Sequence, residues 1–233
     1  MKKRVLVVGL VIAVLAIGLI GCKGPAGPAG PAGPAGPPGL QFVLASPAFV
    51  DKGGLPTVYS PYSGKDYKGS PPLSWANAPK DTKGFALAVI DRDVPWPKFK
   101  VPAGTFPGDL IAHWMVYNIP KDVTSFAEGI SPGKTLGEKL PRDAKELYND
   151  CARFGGEYLK YGIGWVGPMP PPGDYAHAYV FTIYALNVET LPGLIPGTLE
   201  KPGSGYGDFT KAMADKVLAT ASLTGYFCQP TKK

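Results

Sequence analysis

His113 and His177 are the whole histidine content of this 233-residue chain. His177 and Tyr179 stand two apart in an alternating run, so on a strand their side chains share one face. Asp91 stands where the apolar stretch from Phe85 to Ile90 gives way to a proline-containing loop. A carboxylate at a strand end can accept from one imidazole nitrogen, favour the charged ring, and leave the other nitrogen to donate to an anion. Tyr179 adds a hydroxyl donor, and backbone N–H groups near Gly167 could complete a cradle. Pro170, Pro171, Pro172 and Gly173 predict a stiff rim. His113 falls in a second apolar run, where Trp114 is expected on the opposite face. Two histidines with Asp91 and Asp93 could instead hold a metal or act as acid and base. No His-x-x-x-His, Cys-x-x-Cys or Gly-x-Ser-x-Gly spacing supports that chemistry. We assign no catalytic residue, no metal and no cofactor, and expect a binding protein rather than an enzyme.

The elements that must position these residues are short. Runs at 41–49, 84–91, 111–119 and 178–186 are β-rich and bounded by Pro, Gly, Asn or Asp, which predicts an antiparallel β-sandwich. The run at 178–186 is apolar on both faces and is expected to be covered on both. Asp143 and Glu146 have capping-box spacing after Pro141, predicting a helix to about Arg153. Asp208 is expected to cap a second helix near the C-terminus, with Phe209, Ala212, Met213 and Val217 on one face. The fold class is therefore mainly β with a few short helices.

Five stretches resemble the phosphatidylethanolamine-binding protein family, particularly its bacterial branch of Raf-kinase-inhibitor-like proteins. They are SPAF at 46–49, SPPLSWANAPKDTKGFALAVIDRDVP at 70–95, HWMVYNIP at 113–120, GWVGPMPPPGDYAHAYVFTIYAL at 164–186 and AMADKVLATASLTGYF at 212–227. The resemblance implies a β-sandwich with a C-terminal helix and a small anion pocket for phosphate, phosphorylated small molecules or phospholipid headgroups. Matched position by position, the family's pocket motifs give Asp91, Asp93, Pro95, His113, Gly167, Pro168, His177 and Tyr179. Two positions depart: Arg92 replaces a proline, and Ala178 replaces an arginine. Arg92 could supply the missing charge. An alternative role for such a domain is inhibition of an envelope protease by direct contact; a metal-dependent hydrolase is a weaker one.

The N-terminus reads as an address. Lys2, Lys3 and Arg4 precede an apolar run at 5–20, shorter than the roughly 20 residues that span a bilayer. Leu19-Ile20-Gly21-Cys22 resembles a lipobox, making residues 1–21 a signal peptide and Cys22 the lipidated residue; a plain membrane anchor is the alternative. Residues 24–38 form five Gly-x-y triplets. Within the segment 22–40 these are too few for a secure triple helix, and an extended spacer would hold residues 41–233 about 50 Å from the membrane; trimerisation stays open. The expected location is the cell envelope, outside the cytoplasm. Cys151 and Cys228 would then form a disulfide or remain as buried thiols. The formal charge is +6, half of it from Lys2, Lys3 and Arg4, and no basic stripe points to nucleic acid. The expected partners are a phosphate-bearing ligand, the membrane through Cys22, and the protease of the alternative reading.

Overall fold

The computed structural model describes residues 40–94, 110–133, 137, 139–154, 156–198 and 201–229. Residues 1–21, expected to be a signal peptide, Cys22, the Gly-x-y triplets and Pro95 lie outside these. Among the described residues nine strands follow in chain order: β1 (Val43–Ala45), β2 (Gly53–Gly54), β3 (Leu73–Ala76), β4 (Gly84–Asp91), β5 (Ile111–Pro120), β6 (Ser125–Phe126), β7 (Lys145–Glu146), β8 (His177–Leu186) and β9 (Val217–Phe227). The α-helices among the described residues are α1 (Cys151–Phe154) and α2 (Tyr206–Met213), with 3-10 helices at Thr57–Tyr59, Pro61–Asp66 and Gly156–Tyr161. Strands β1, β3 and β6 form a three-stranded sheet, and β2-β9-β8-β4-β5-β7 a six-stranded one.

The expected antiparallel arrangement needs correcting. Strand β2 joins β9 in parallel, so the large sheet is mixed, although its inner pairs are antiparallel. The central covered strand is β4, buried at every position. Its Phe85, Leu87 and Val89 face one core with Leu44, Trp75 and Phe126 of the small sheet. Ala86, Ala88 and Ile90 face a second core closed by Phe209 and Met213 of α2. Two covered faces explain a continuous apolar run. Strand β8 is fully covered on one face, where Tyr179, Phe181 and Ile183 are buried, and partly on the other, where Tyr184 and Leu186 lie against the α2 core and the remaining residues are half-buried. Each fully buried large apolar side chain contributes about 1.5–3 kcal/mol.

The helix expected from Asp143 to Arg153 does not form. Lys145 and Glu146 pair with Tyr117 and Val116 as an edge strand, and only α1 is helical. Glu146 is buried, accepting from the Trp114 indole N–H at 2.6 Å and from the Gly137 N–H at 2.8 Å. A buried indole donor needs an acceptor, and meeting that need outweighs a local capping preference. In α2 the helix begins earlier than expected, so Asp208 lies inside the first turn and accepts from the Gly205 N–H at 3.2 Å. The chain leaves the helix through Asp215 at φ 60°, and Val217 opens β9 rather than extending the helical face. The C-terminal helix thus precedes a final strand.

Candidate functional site

The site forms where β4 runs out between β5 and β8. Asp91 ends β4, paired across the sheet with Ile111 and Tyr179. One carboxylate oxygen, Oδ2, accepts from His177 Nδ1 at 2.8 Å. The other, Oδ1, accepts from the Asp93 N–H at 2.8 Å and holds the turn that leaves the strand. His113 arrives through a bulge: Val89 pairs with Trp114 and Ile90 with Ala112, which leaves His113 as the extra residue. A bulge re-aims a side chain. His113 therefore meets Tyr179 edge-on at 5.0 Å while Trp114 enters the same inter-sheet core, correcting the expectation of opposite faces. The His113 Nε2 lies 3.9 Å from Asp91 Oδ2.

The two imidazoles are tuned in opposite directions. His113 Nδ1 donates to the Val166 carbonyl at 3.0 Å, and burial lowers its pKa against the pull of Asp91. For His177, burial is the largest single effect and also acts to lower the pKa. The hydrogen bond and charge of Asp91, with the charges of Asp174 and Asp93, together outweigh it, and the net shift is upward. His177 Nε2 makes no hydrogen bond, the nearest carboxylate being Asp174 at 3.7 Å. The Tyr179 hydroxyl is likewise without a well-formed hydrogen bond; burial, then the nearby Asp91 charge, raises its pKa.

These groups line a cavity of about 250 Å³. Its walls are apolar: Tyr62, Val94, Ile111, Phe154 and Tyr158, with Met169 and the three prolines 170–172. The proline rim is where the sequence places it. Ser60 anchors it by donating to the Pro168 carbonyl at 2.6 Å, and Tyr62 by donating to the Pro170 carbonyl at 2.9 Å. Gly167 permits the close approach: a Cβ there would stand 1.8 Å from the Tyr59 carbonyl oxygen. Opposite, Cys151 and Phe154 of α1 complete the wall. Asp150 fixes that helix, accepting from the Ala112 N–H at 2.7 Å and from Arg153 Nε at 3.0 Å.

Of the sequence-predicted residues, Asp91, His113, His177 and Tyr179 converge on the cavity. Asp93 does not line it; its Oδ2 accepts from the Ala178 N–H at 2.7 Å and pins the start of β8. Gly167 and Pro168 shape the wall from behind. Arg92 is exposed and its charge acts on Tyr184, which lies against the α2 core, so it does not replace the missing arginine at the cavity. The Cys151–Cys228 disulfide is absent: Cys151 is a buried thiol and Cys228 an exposed one. The segment around Ser131 to Tyr161 supplies β7 and one cavity wall. Sequence reasoning missed Tyr62, Phe154 and Tyr158, which carry no spacing signal because they come from helical segments of only four to six residues, too short to show a period. Among the described residues no cluster of three or more His, Cys, Asp or Glu side chains is placed to hold a metal ion.

A small apolar-walled cavity with a few convergent polar atoms at its floor defines a binding protein on a mainly β scaffold. Residues 45–228 match the model of the phosphatidylethanolamine-binding protein family, and the chain belongs to that family. It is 32% identical over 184 residues to a UPF0098 protein of Methanothermobacter thermautotrophicus, covering 79% of this chain and 97% of that one. It is 36% identical over 135 residues to the UPF0098 protein YbcL of Escherichia coli, covering 58% of this chain and 62% of that one. The crystal structure of Escherichia coli YbcL, described as a new member of the mammalian PEBP family, superposes with a TM-score of 0.59 at 28% identity, covering 80% of this chain and 98% of that one. A putative PEBP homolog from Chlamydia trachomatis gives 0.57 at 30% identity, covering 80% and 96%.

Proposed function

We propose that the domain is a non-catalytic binding protein whose cavity takes the phosphate of a small phosphorylated molecule or a phospholipid headgroup. One observation carries this reading. His177 Nε2 and the Tyr179 hydroxyl are buried on residues that line the cavity; Nε2 has no hydrogen-bond partner, and the hydroxyl, close to the Asp91 carboxylate and the Met169 backbone, has no well-formed one. A buried unsatisfied polar group costs about 1–3 kcal/mol, and a ligand offering acceptor oxygens relieves both at once. With Asp91 holding Nδ1, a charged His177 presents its remaining N–H to the ligand, and the apolar wall accommodates the organic part. The lipobox at Cys22 and the Gly-x-y spacer support delivery of this pocket to the outer face of a cell membrane. Phosphoethanolamine titrated into the full chain, followed by imidazole and tyrosine ring NMR, tests the reading. Saturable shifts at His177 and Tyr179 are expected; shifts confined to surface lysines would overturn it.

A further inference from the structure

Resting on that phosphate reading, the geometry points to a more specific ligand class. We propose that the site takes a phosphate bearing a P–OH group, a singly protonated monoester or inorganic phosphate monoanion, and discriminates against the phosphodiester of an intact phospholipid, because His113 Nε2 is a hydrogen-bond acceptor there. A carbonyl oxygen can only accept, so the 3.0 Å contact with Val166 fixes the proton of His113 on Nδ1. A second proton on Nε2 would create a buried cation, and burial holds this pKa below its ordinary value. His113 Nε2 therefore offers a lone pair to the cavity it lines. On the other side His177 Nε2 and Tyr179 offer two donors. The complementary ligand has two acceptor oxygens and one hydroxyl donor on the same small group. A protonated phosphomonoester has all three. A diester has no hydroxyl. A dianion has none either, and it adds a second negative charge beside Asp91 and near Asp93 and Asp174.

The pH dependence separates these species. A phosphomonoester loses its last proton at a pKa of about 6. The other groups facing the ligand are few. Asp91 is tied to His177; Asp174 and Tyr175 flank the same imidazole. Tyr62 and Tyr179 have raised pKa values, and burial pushes the Cys151 thiol up to about 12, so these stay protonated. Tyr158 faces the cavity from the α1 side. His177 has a raised pKa, and burial pushes Asp150, behind the α1 wall, up to about 6; a diester ligand reports the effect of these protein groups without a phosphate proton of its own.

Calorimetric binding of methyl phosphate and dimethyl phosphate to the full chain from pH 5.5 to 8 tests the inference. Methyl phosphate is expected to bind at least tenfold more tightly than dimethyl phosphate at pH 5.5. Its affinity should fall about tenfold per pH unit above 6 once the diester's own pH dependence is subtracted. Equal affinities at pH 5.5, or methyl phosphate binding undiminished at pH 8, would overturn the proposal while leaving the phosphate reading intact. Binding of neither would overturn both. Long-range ¹H–¹⁵N spectra of the wild-type chain add a readout that needs no variant: His113 Nε2 must show the shift of an unprotonated ring nitrogen, and a protonated Nε2 sinks the proposal.

Discussion

Replacing Asp91 with Asn removes one negative charge and leaves the shape nearly unchanged. In the wild type both carboxylate oxygens are engaged, with His177 Nδ1 and the Asp93 N–H each at 2.8 Å. An amide has one acceptor oxygen, so one of the two donors must face the amide NH₂. The hydrogen bond to a charged His177 contributes about 1.5–3 kcal/mol, and that contribution is lost. The sign with pH is fixed by linkage. The folded-state pKa of His177 is raised above 6.5, so its stabilising contribution is complete below pH 6.5 and disappears as pH rises through the folded value. In Asp91→Asn the hydrogen bond and charge that oppose burial most strongly are lost, and the His177 pKa falls relative to the wild type. The variant should therefore be destabilised by about 2–3 kcal/mol at pH 5.5 and distinctly less at pH 9. For a domain of this size that is a drop in Tm of roughly 4–12 °C at the lower pH. Thermal melts across pH, with NMR titration of His177, measure both quantities. An unchanged His177 pKa, or a stability loss independent of pH, would refute the reasoning.

Gly167→Ala places a methyl 1.8 Å from the Tyr59 carbonyl; a loss of about 1–3 kcal/mol in chemical denaturation is expected, with weaker phosphate binding as the proline rim shifts. Glu146→Ala strands the Trp114 indole N–H and should cost about 1–3 kcal/mol, whereas Glu146→Gln retains an acceptor and should cost about half as much in the same urea titration. Iodoacetamide labelling at pH 8 with peptide mapping should modify exposed Cys228 well before Cys151, whose thiol is buried and pushed up to about 12; a Cys151–Cys228 disulfide in the mapped peptides would contradict the fold around α1.

The sequence legibly marked the long strands and half of the site. Strands β4, β5 and β8 have uninterrupted apolar runs with clear punctuation, and their expected ranges match within a residue or so. Asp91, His177 and Tyr179 sit at fixed positions on such strands, so register alone brings them together. His113 was found for a different reason, its rarity, and its aim depends on a bulge that period-2 patterning cannot show. Strand β9 was missed because its Val-Leu-Ala-Thr-Ala-Ser run is weakly patterned: one face is mostly exposed and the other carries the small Ala219, Ala221 and Gly225 among its core residues. Glu146 read as a capping residue because local spacing says nothing of a tryptophan thirty-two residues away in sequence that needs an acceptor. Asp93 read as a ligand for the same reason, since its partner is a backbone N–H on a distant strand.

The most direct test of the central claim is a crystal structure of the chain grown with methyl phosphate. The claim predicts a phosphate within about 3 Å of both His177 Nε2 and the Tyr179 hydroxyl, with its remaining oxygen toward His113 Nε2 and its methyl toward Met169. A phosphate bound elsewhere, with this cavity holding only water at saturating ligand, would contradict it.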